Sequence, residues 1–156
     1  MKILVDADAC PVKDIIETIA RQQGVAVTMF CNPHHAISSD YSQVVMVDFA
    51  PEAVDLAIIN QTRAGDIVVS QDYGLASLVL ARRAHAIHPS GKIFDAANID
   101  TLLTQRYLNA RARRAGQRIP GPAKRGPAQD ERFKQNLLQL LQHCLPENKE
   151  PVPGAE

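Results

Sequence analysis

Four carboxylates, Asp6, Asp8, Asp55 and Asp72, stand where the sequence gives them chemistry to do. Asp6 and Asp8 follow the aliphatic run Ile3 to Val5, and Asp72 comes two residues after Ser70, at the end of another such run. Asp55 is the only charge between Glu52 and Arg63, inside Ala53-Val54-Asp55-Leu56-Ala57-Ile58-Ile59. Like charges about 4 Å apart repel by roughly 4 kcal/mol at an effective dielectric near 20, so acids that converge must hold a cation or take up a proton. Oxygen ligands with no nearby His or Cys suit a hard ion, Mg²⁺ or Mn²⁺, which keeps waters for a phosphate to displace. Such an ion polarises a phosphoryl oxygen and generates the attacking hydroxide. Plainer roles stay open: Asp72, just before Tyr73-Gly74-Leu75, can cap a helix, Asp6 can stabilise a turn, and Asp55 can pair with an arginine in the core.

The elements that must position these acids are written in the hydrophobic spacing. Ile3 to Val5 reads as a strand, and Val12, Ile15, Ile16 and Ile19 then recur at helical intervals. Pro11 suits the first position of that helix, with Cys10 as its cap, and Gly24 suits its end. Val25 to Phe30, Val44 to Val47, Ile67 to Ser70 and a brief run from Ala86 to His88 read as further strands. Between them, a helix from Pro51 to about Arg63 places Asp55 past its first turn, and a helix carries Leu75, Leu78 and Val79. Another helix shows Ile99, Leu102 and Leu103 on one face, and a last one carries Phe133, Leu137, Leu140, Leu141 and Cys144.

Strands alternating with helices predict parallel pairing by right-handed crossovers, hence a Rossmann-like three-layer α/β sandwich with a mostly parallel sheet. In such a sheet ligands collect beyond the carboxyl ends of the strands, where Asp6, Asp8 and Asp72 fall. Asp66 precedes its strand, and five or six residues at about 3.3 Å each put it roughly 16 Å away, at the other edge.

Basic charge is sorted as well. From Thr101 to Gln129 there are Arg106, Arg111, Arg113, Arg114, Arg118, Lys124 and Arg125 and no acid, in a chain with 17 basic and 17 acidic residues. Residues 110–128, rich in Arg, Gly and Pro, read either as a solvated linker or as a footprint for a polyanion. Tyr107 is the lone aromatic there, so base stacking finds no support in this segment. His34 and His35 are adjacent, and His85 and His88 sit beside a short strand, so none makes a zinc pattern. Cys10 lacks partners for a nucleophilic triad.

A length of 156 residues with 46% hydrophobic and 22% charged residues suits one domain and excludes wholesale disorder. That domain is expected over 1–144, with a flexible tail at 145–156. Three cysteines form no C-x-x-C pair, which fits a reducing cytoplasm, and no segment has the apolar length of a signal peptide or a membrane span.

Asp6-Ala-Asp8-Ala-Cys10-Pro11, Asn32 after the second strand, Gly65 to Ala76 with Ser70-Gln71-Asp72, and the tail from Arg114 to Pro122 with Phe133 resemble the YaiI/YqxD family over residues 1 to about 142. The core of that family is similar to PIN and NYN domains, metal-dependent nucleases acting mostly on RNA. The resemblance implies a PIN-like fold with Asp6, Asp8, Asp55 and Asp72 as catalytic metal ligands for Mg²⁺ or Mn²⁺. It also implies RNA as partner, with Asn32 and Ser70 beside it, and the sorted basic charge adds Arg111, Arg113, Arg114, Arg118, Lys124 and Arg125 as the expected phosphate footprint. One departure stands out: PIN domains commonly carry a further acid after Ser/Thr-x-Asp, where this chain has Tyr73 and Gly74. Asp6-x-Asp8 also suits a haloacid-dehalogenase-type phosphatase, although no lysine lies between Lys13 and Lys92 to complete it. A module that binds nucleic acid without cutting it is the third reading.

Overall fold

The computed structural model describes residues 1–50, 52–121 and 124–144. Five parallel strands, β1 (Lys2–Asp6), β2 (Ala26–Cys31), β3 (Gln43–Met46), β4 (Ile67–Val69) and β5 (His85–Ile87), lie in the order β3-β2-β1-β4-β5. A short β6 (Ile93–Phe94) closes one edge antiparallel to β5. Two residues make too brief a run to show any period, which is why β6 leaves no signal in the sequence.

Alternation along the strands divides the core. Ile3, Val5, Val27, Met29, Ile67 and Val69 share one cluster with buried residues of α1 (Lys13–Gln23) and α5 (Pro127–Cys144). Leu4, Phe30, Val68 and Ala86 join a second, with residues of α2 (Ala53–Gln61), α3 (Tyr73–Ala81) and α4 (Ala96–Arg114). The result is the three-layer α/β sandwich that the alternation of elements predicts. Phe133 and Leu137 are fully buried, so α5 is part of the core, each such side chain contributing about 2 kcal/mol by leaving water. Among the described residues no helix is long and apolar enough to cross a membrane.

Several boundaries differ from the sequence reading. Pro11 lies in a turn, Val12 is the N-cap and α1 starts at Lys13, because a 3-10 turn over Ala7–Ala9 takes up the chain after β1. Gly24 ends α1 in the left-handed region at φ 68°, a conformation that costs glycine little. Helix α2 starts at Ala53 and stops at Gln61, so Asp55 sits inside its first turn rather than past it. Pro51 and the expected tail at 145–156 lie outside the described residues. Helix α4 runs on to Arg114, so the basic stretch does not begin as a loop at 110; its first three arginines, Arg111, Arg113 and Arg114, ride on the last turns, where cations suit the helix dipole.

Candidate active site

The strand order reverses direction between β1 and β4, which sends one crossover outward to β2 and the other to β5 and opens a crevice beyond the carboxyl ends of these strands. Asp6 ends β1 and Ser70-Gln71-Asp72 follows β4, so both acids flank this crevice. Buried Ser70 ties them together: its hydroxyl donates to Asp6 Oδ2 at 3.2 Å and accepts from the Asp72 backbone N–H at 3.0 Å. Asp72 does cap α3, accepting from Leu75 N–H at 3.0 Å. That bond uses one oxygen and leaves the other carboxylate oxygen outside the cap. Gly74 keeps this carboxylate clear, since a Cβ there would stand 3.1 Å from Asp72 Oδ1.

Asp55 reaches the same place from α2. It borders a cleft of about 440 Å³ together with Asp72, and burial, followed by the charges of Asp72 and Asp6, pushes its pKa up to about 6. Burial also raises the Asp6 pKa above the ordinary carboxylate value, the Ser70 bond opposing it and Asp8 and Asp72 adding to it. A position in the first turn of a helix favours the ionised form of Asp55, so the upward shift means that burial and like charge outweigh the dipole. Among the described residues no arginine forms an ion pair with it, although Arg106 lines the same cleft.

Asp8 is held differently. Asn32 donates to it twice, backbone N–H to Oδ1 at 3.0 Å and side-chain amide to Oδ2 at 3.1 Å. Asn32 thereby links the end of β2 to the turn after β1. Among the described residues no three His, Cys, Asp or Glu side chains form a ready-made metal cage; Asp6, Asp8 and Asp72 are held separately by Ser70, Asn32 and the α3 cap. A hard ion that keeps much of its water shell fits this donor set better than one needing several direct protein ligands.

The crevice continues sideways. Asp6, Asp72, Gln71, Tyr73 and Arg106 line a recess of about 310 Å³, and Gln71 and Tyr73 lead from it into a cleft of about 820 Å³ that holds His88, Arg113 and Arg125. Arg106 escaped the sequence reading as a site residue, although its position seven after Ile99 and three after Leu103 puts it on the inner face of α4. Its Nη1 lies 3.6 Å from Asp72 Oδ1, an exposed pairing worth little and easily given up to a ligand. Arg125 differs from its neighbours. Its guanidinium bonds Asp130 Oδ1 at 2.9 Å and Pro89 O at 2.9 Å, which fastens the basic segment to the end of the sheet. Arg111, Arg113, Arg114, Arg118 and Lys124 are exposed.

The remaining candidates fall away. Burial pushes the Cys10 thiol up to about 11, which keeps it protonated and unreactive at neutral pH. His88 is half-buried and its Nδ1 accepts from Ser90 N–H at 3.0 Å, while His34 and His35 are exposed. Of the acids in clefts of about 620 and 540 Å³ elsewhere, Asp40 pairs with Arg21 at 3.1 Å and Asp66 with Lys2 at 2.7 Å.

A parallel α/β protein with an acidic cluster at its switch point and arginines beside it is the class that fold and site define. The sequence profile described as "Uncharacterized BCR, YaiI/YqxD family" matches residues 4–143, and the chain belongs to that family. Its curated relatives are called UPF0178 proteins. That of Clostridium kluyveri is 48% identical over 141 residues, covering 90% of this chain and 93% of the relative. Those of Clostridium novyi and Clostridium tetani are 47% and 46% identical, covering 95% and 97% of their own lengths. No solved structure matches the chain.

Proposed function

We propose that this chain is a divalent-metal-dependent phosphodiesterase that cleaves RNA, with Asp6, Asp8, Asp55 and Asp72 at its centre. The observation that carries the reading is convergence: Asp6 and Asp72 line one recess and are joined through Ser70, Asp72 and Asp55 line the adjoining cleft, and burial with the charges of Asp72 and Asp6 raises the Asp55 pKa to about 6, so that a cation would relieve the site. Bound Mg²⁺ or Mn²⁺ would supply a polarised phosphoryl oxygen and an activated water. Asp6, Asp55 and Asp72 would hold the ion, in part through its waters, and Asp8 would add charge beside them. Ser70 orients Asp6 and the start of α3. Arg106, within the same recess as Asp6 and Asp72, would leave Asp72 to take the scissile phosphate, whose developing charge it matches. Arg111, Arg113, Arg114, Arg118 and Lys124 would bind flanking phosphates, while Arg125 fixes the segment that carries two of them. The likeness to PIN and NYN domains supports the same chemistry and RNA as substrate. The phosphatase alternative finds less support, since both Asp8 oxygens already accept from Asn32 and no lysine lines the recess.

The test is to incubate purified protein with labelled single-stranded RNA, with and without Mn²⁺, beside Asp72→Asn. Asparagine caps helices as well as aspartate does, so this variant keeps α3. Metal-dependent cleavage that the variant loses is the expected result. Cleavage indifferent to metal or to the substitution would contradict the reading, and binding without cleavage in any metal would make the protein a nucleic-acid-binding module.

A further inference from the structure

An exposed ring pair stands at the opposite end of the acidic edge from the arginines. His34 and Phe49 lie with ring centroids 4.5 Å apart and planes tilted by 59°. Phe49 is 61% exposed, although a phenyl ring usually buries most of its area. Single exposed apolar residues are ordinary on protein surfaces, but this one is part of a pair mounted on the candidate site. The Asn32 side chain accepts from His34 N–H at 2.9 Å and donates to Asp8 Oδ2 at 3.1 Å, so two hydrogen bonds join the backbone under one ring to the acid. Pro33 opens the 3-10 turn that carries His34, and Val47 N–H bonds Cys31 O at 2.9 Å just before the chain turns towards Phe49. The rings therefore sit on a braced support beyond β2 and β3.

We infer that His34 and Phe49 form a stacking platform for an unpaired nucleobase, on the far side of Asp6 and Asp8 from the basic segment. The inference rests on the nuclease reading and gives it a direction. Bases stack on aromatic faces without regard to sequence, and phosphates meet the arginines at the other end. From β2 to β5 is three strand spacings, about 14 Å, which about four nucleotides span even at the 3.4 Å rise of a stacked strand. A strand laid along the edge thus has one base held at β2 and β3, its backbone crossing Asp6 and Asp72, and further phosphates at α4. A strand stripped of its bases would keep the arginine contacts and lose the platform.

Two variants and two strands test this. The chain contains no tryptophan, so Phe49→Trp installs a single fluorophore in the platform. Affinities for an eight-nucleotide oligouridylate and for an abasic strand of the same length are measured in Ca²⁺, a hard cation that fills oxygen sites without the octahedral geometry of Mg²⁺. Wild type should bind the base-bearing strand more tightly, and Phe49→Ala should weaken that strand about tenfold while leaving the abasic strand and the salt dependence unchanged. In Phe49→Trp the affinity should be retained and the tryptophan emission should fall with oligouridylate but not with the abasic strand. Phe49→Ala indistinguishable from wild type, or weakened equally for the two strands, overturns the platform while leaving the nucleic-acid reading in place. A wild type that binds neither strand overturns that reading and the platform with it.

Discussion

The two edges of the sheet treat their acids in opposite ways. At the amino edge Asp66 is 3% exposed and fully engaged: Lys2 Nζ lies 2.7 Å away, and the backbone N–H groups of Lys2 and Arg63 donate to it at 3.1 and 2.8 Å. At the carboxyl edge Asp6 and Asp55 are partly buried against other acids, and both carboxyl groups are pushed toward protonation. Three residues, the whole of β4, separate Asp66 from Ser70. Burial alone does not distinguish an engaged carboxylate from one crowded by like charge; the difference lies in what surrounds it. Asp66 holds the ends of β1 and β4 together, whereas the carboxyl edge concentrates negative charge that a cation would relieve.

Removing the amino-edge carboxylate should have the largest effect. Asp66→Ala leaves a half-buried ammonium and two backbone N–H groups without their partner, and should cost about 3 kcal/mol, read as a lower urea midpoint. Metal-dependent activity of the molecules that remain folded should be unchanged. A loss near zero would show that water replaces Asp66 and would erase the contrast between the edges.

At the carboxyl edge the sign reverses. Asp55→Asn should stabilise the protein at pH 7 by about 1 kcal/mol, a figure discounted for solvent screening because the side chain is only partly buried. The Asp55 pKa is raised from 3.8 to about 6 on folding, so between those values the folded state binds more protons than the unfolded one. Stability is therefore lost as pH rises through about 6, and the gap between variant and wild type should close as pH falls toward 4. Paired urea titrations at several pH values read this directly. Asp55→Asn that unfolds the protein would instead make Asp55 a second Asp66.

Per side chain, the smallest effects belong to the basic segment. If four exposed cations reach phosphates of a single strand, log K against log salt should slope near −3, at roughly 0.7 per contact. Changing Arg111, Arg113, Arg114 and Lys124 to Ala should flatten the slope and weaken all sequences alike, while Arg63→Ala at the amino edge should leave it unchanged. Arg125→Ala should lower stability as well as affinity, because it is bound to Asp130 and Pro89.

Much of this arrangement can be read from local sequence. Strand, helix and glycine signals around Ile3 to Val5, Ile67 to Val69 and Gly24 depend on neighbouring residues, and with them the sheet edge at which Asp6 and Asp72 emerge follows. The lone charge at Asp55 in an apolar helix also announces a special surrounding. What stayed hidden depends on contacts between distant segments. Arg125 looks like any exposed cation until Asp130 and Pro89 are seen to hold it. Phe49 stands alone in the sequence, and only the return of β3 beside β2 brings it against His34. Pro11 carries a helix-opening signal, but the 3-10 turn before it overrides that signal and α1 starts at Lys13.

Whether the carboxyl-edge acids are a cation site is measured most directly by the titration of Asp55. Side-chain carboxyl carbons can be followed by NMR across pH 3 to 8, with and without Mg²⁺, using Asp55→Asn to assign the resonance. A midpoint near 6 without metal, with a clear fall when Mg²⁺ saturates the site, is the expected result. A midpoint near the ordinary carboxylate value, unmoved by Mg²⁺, would contradict a cation site.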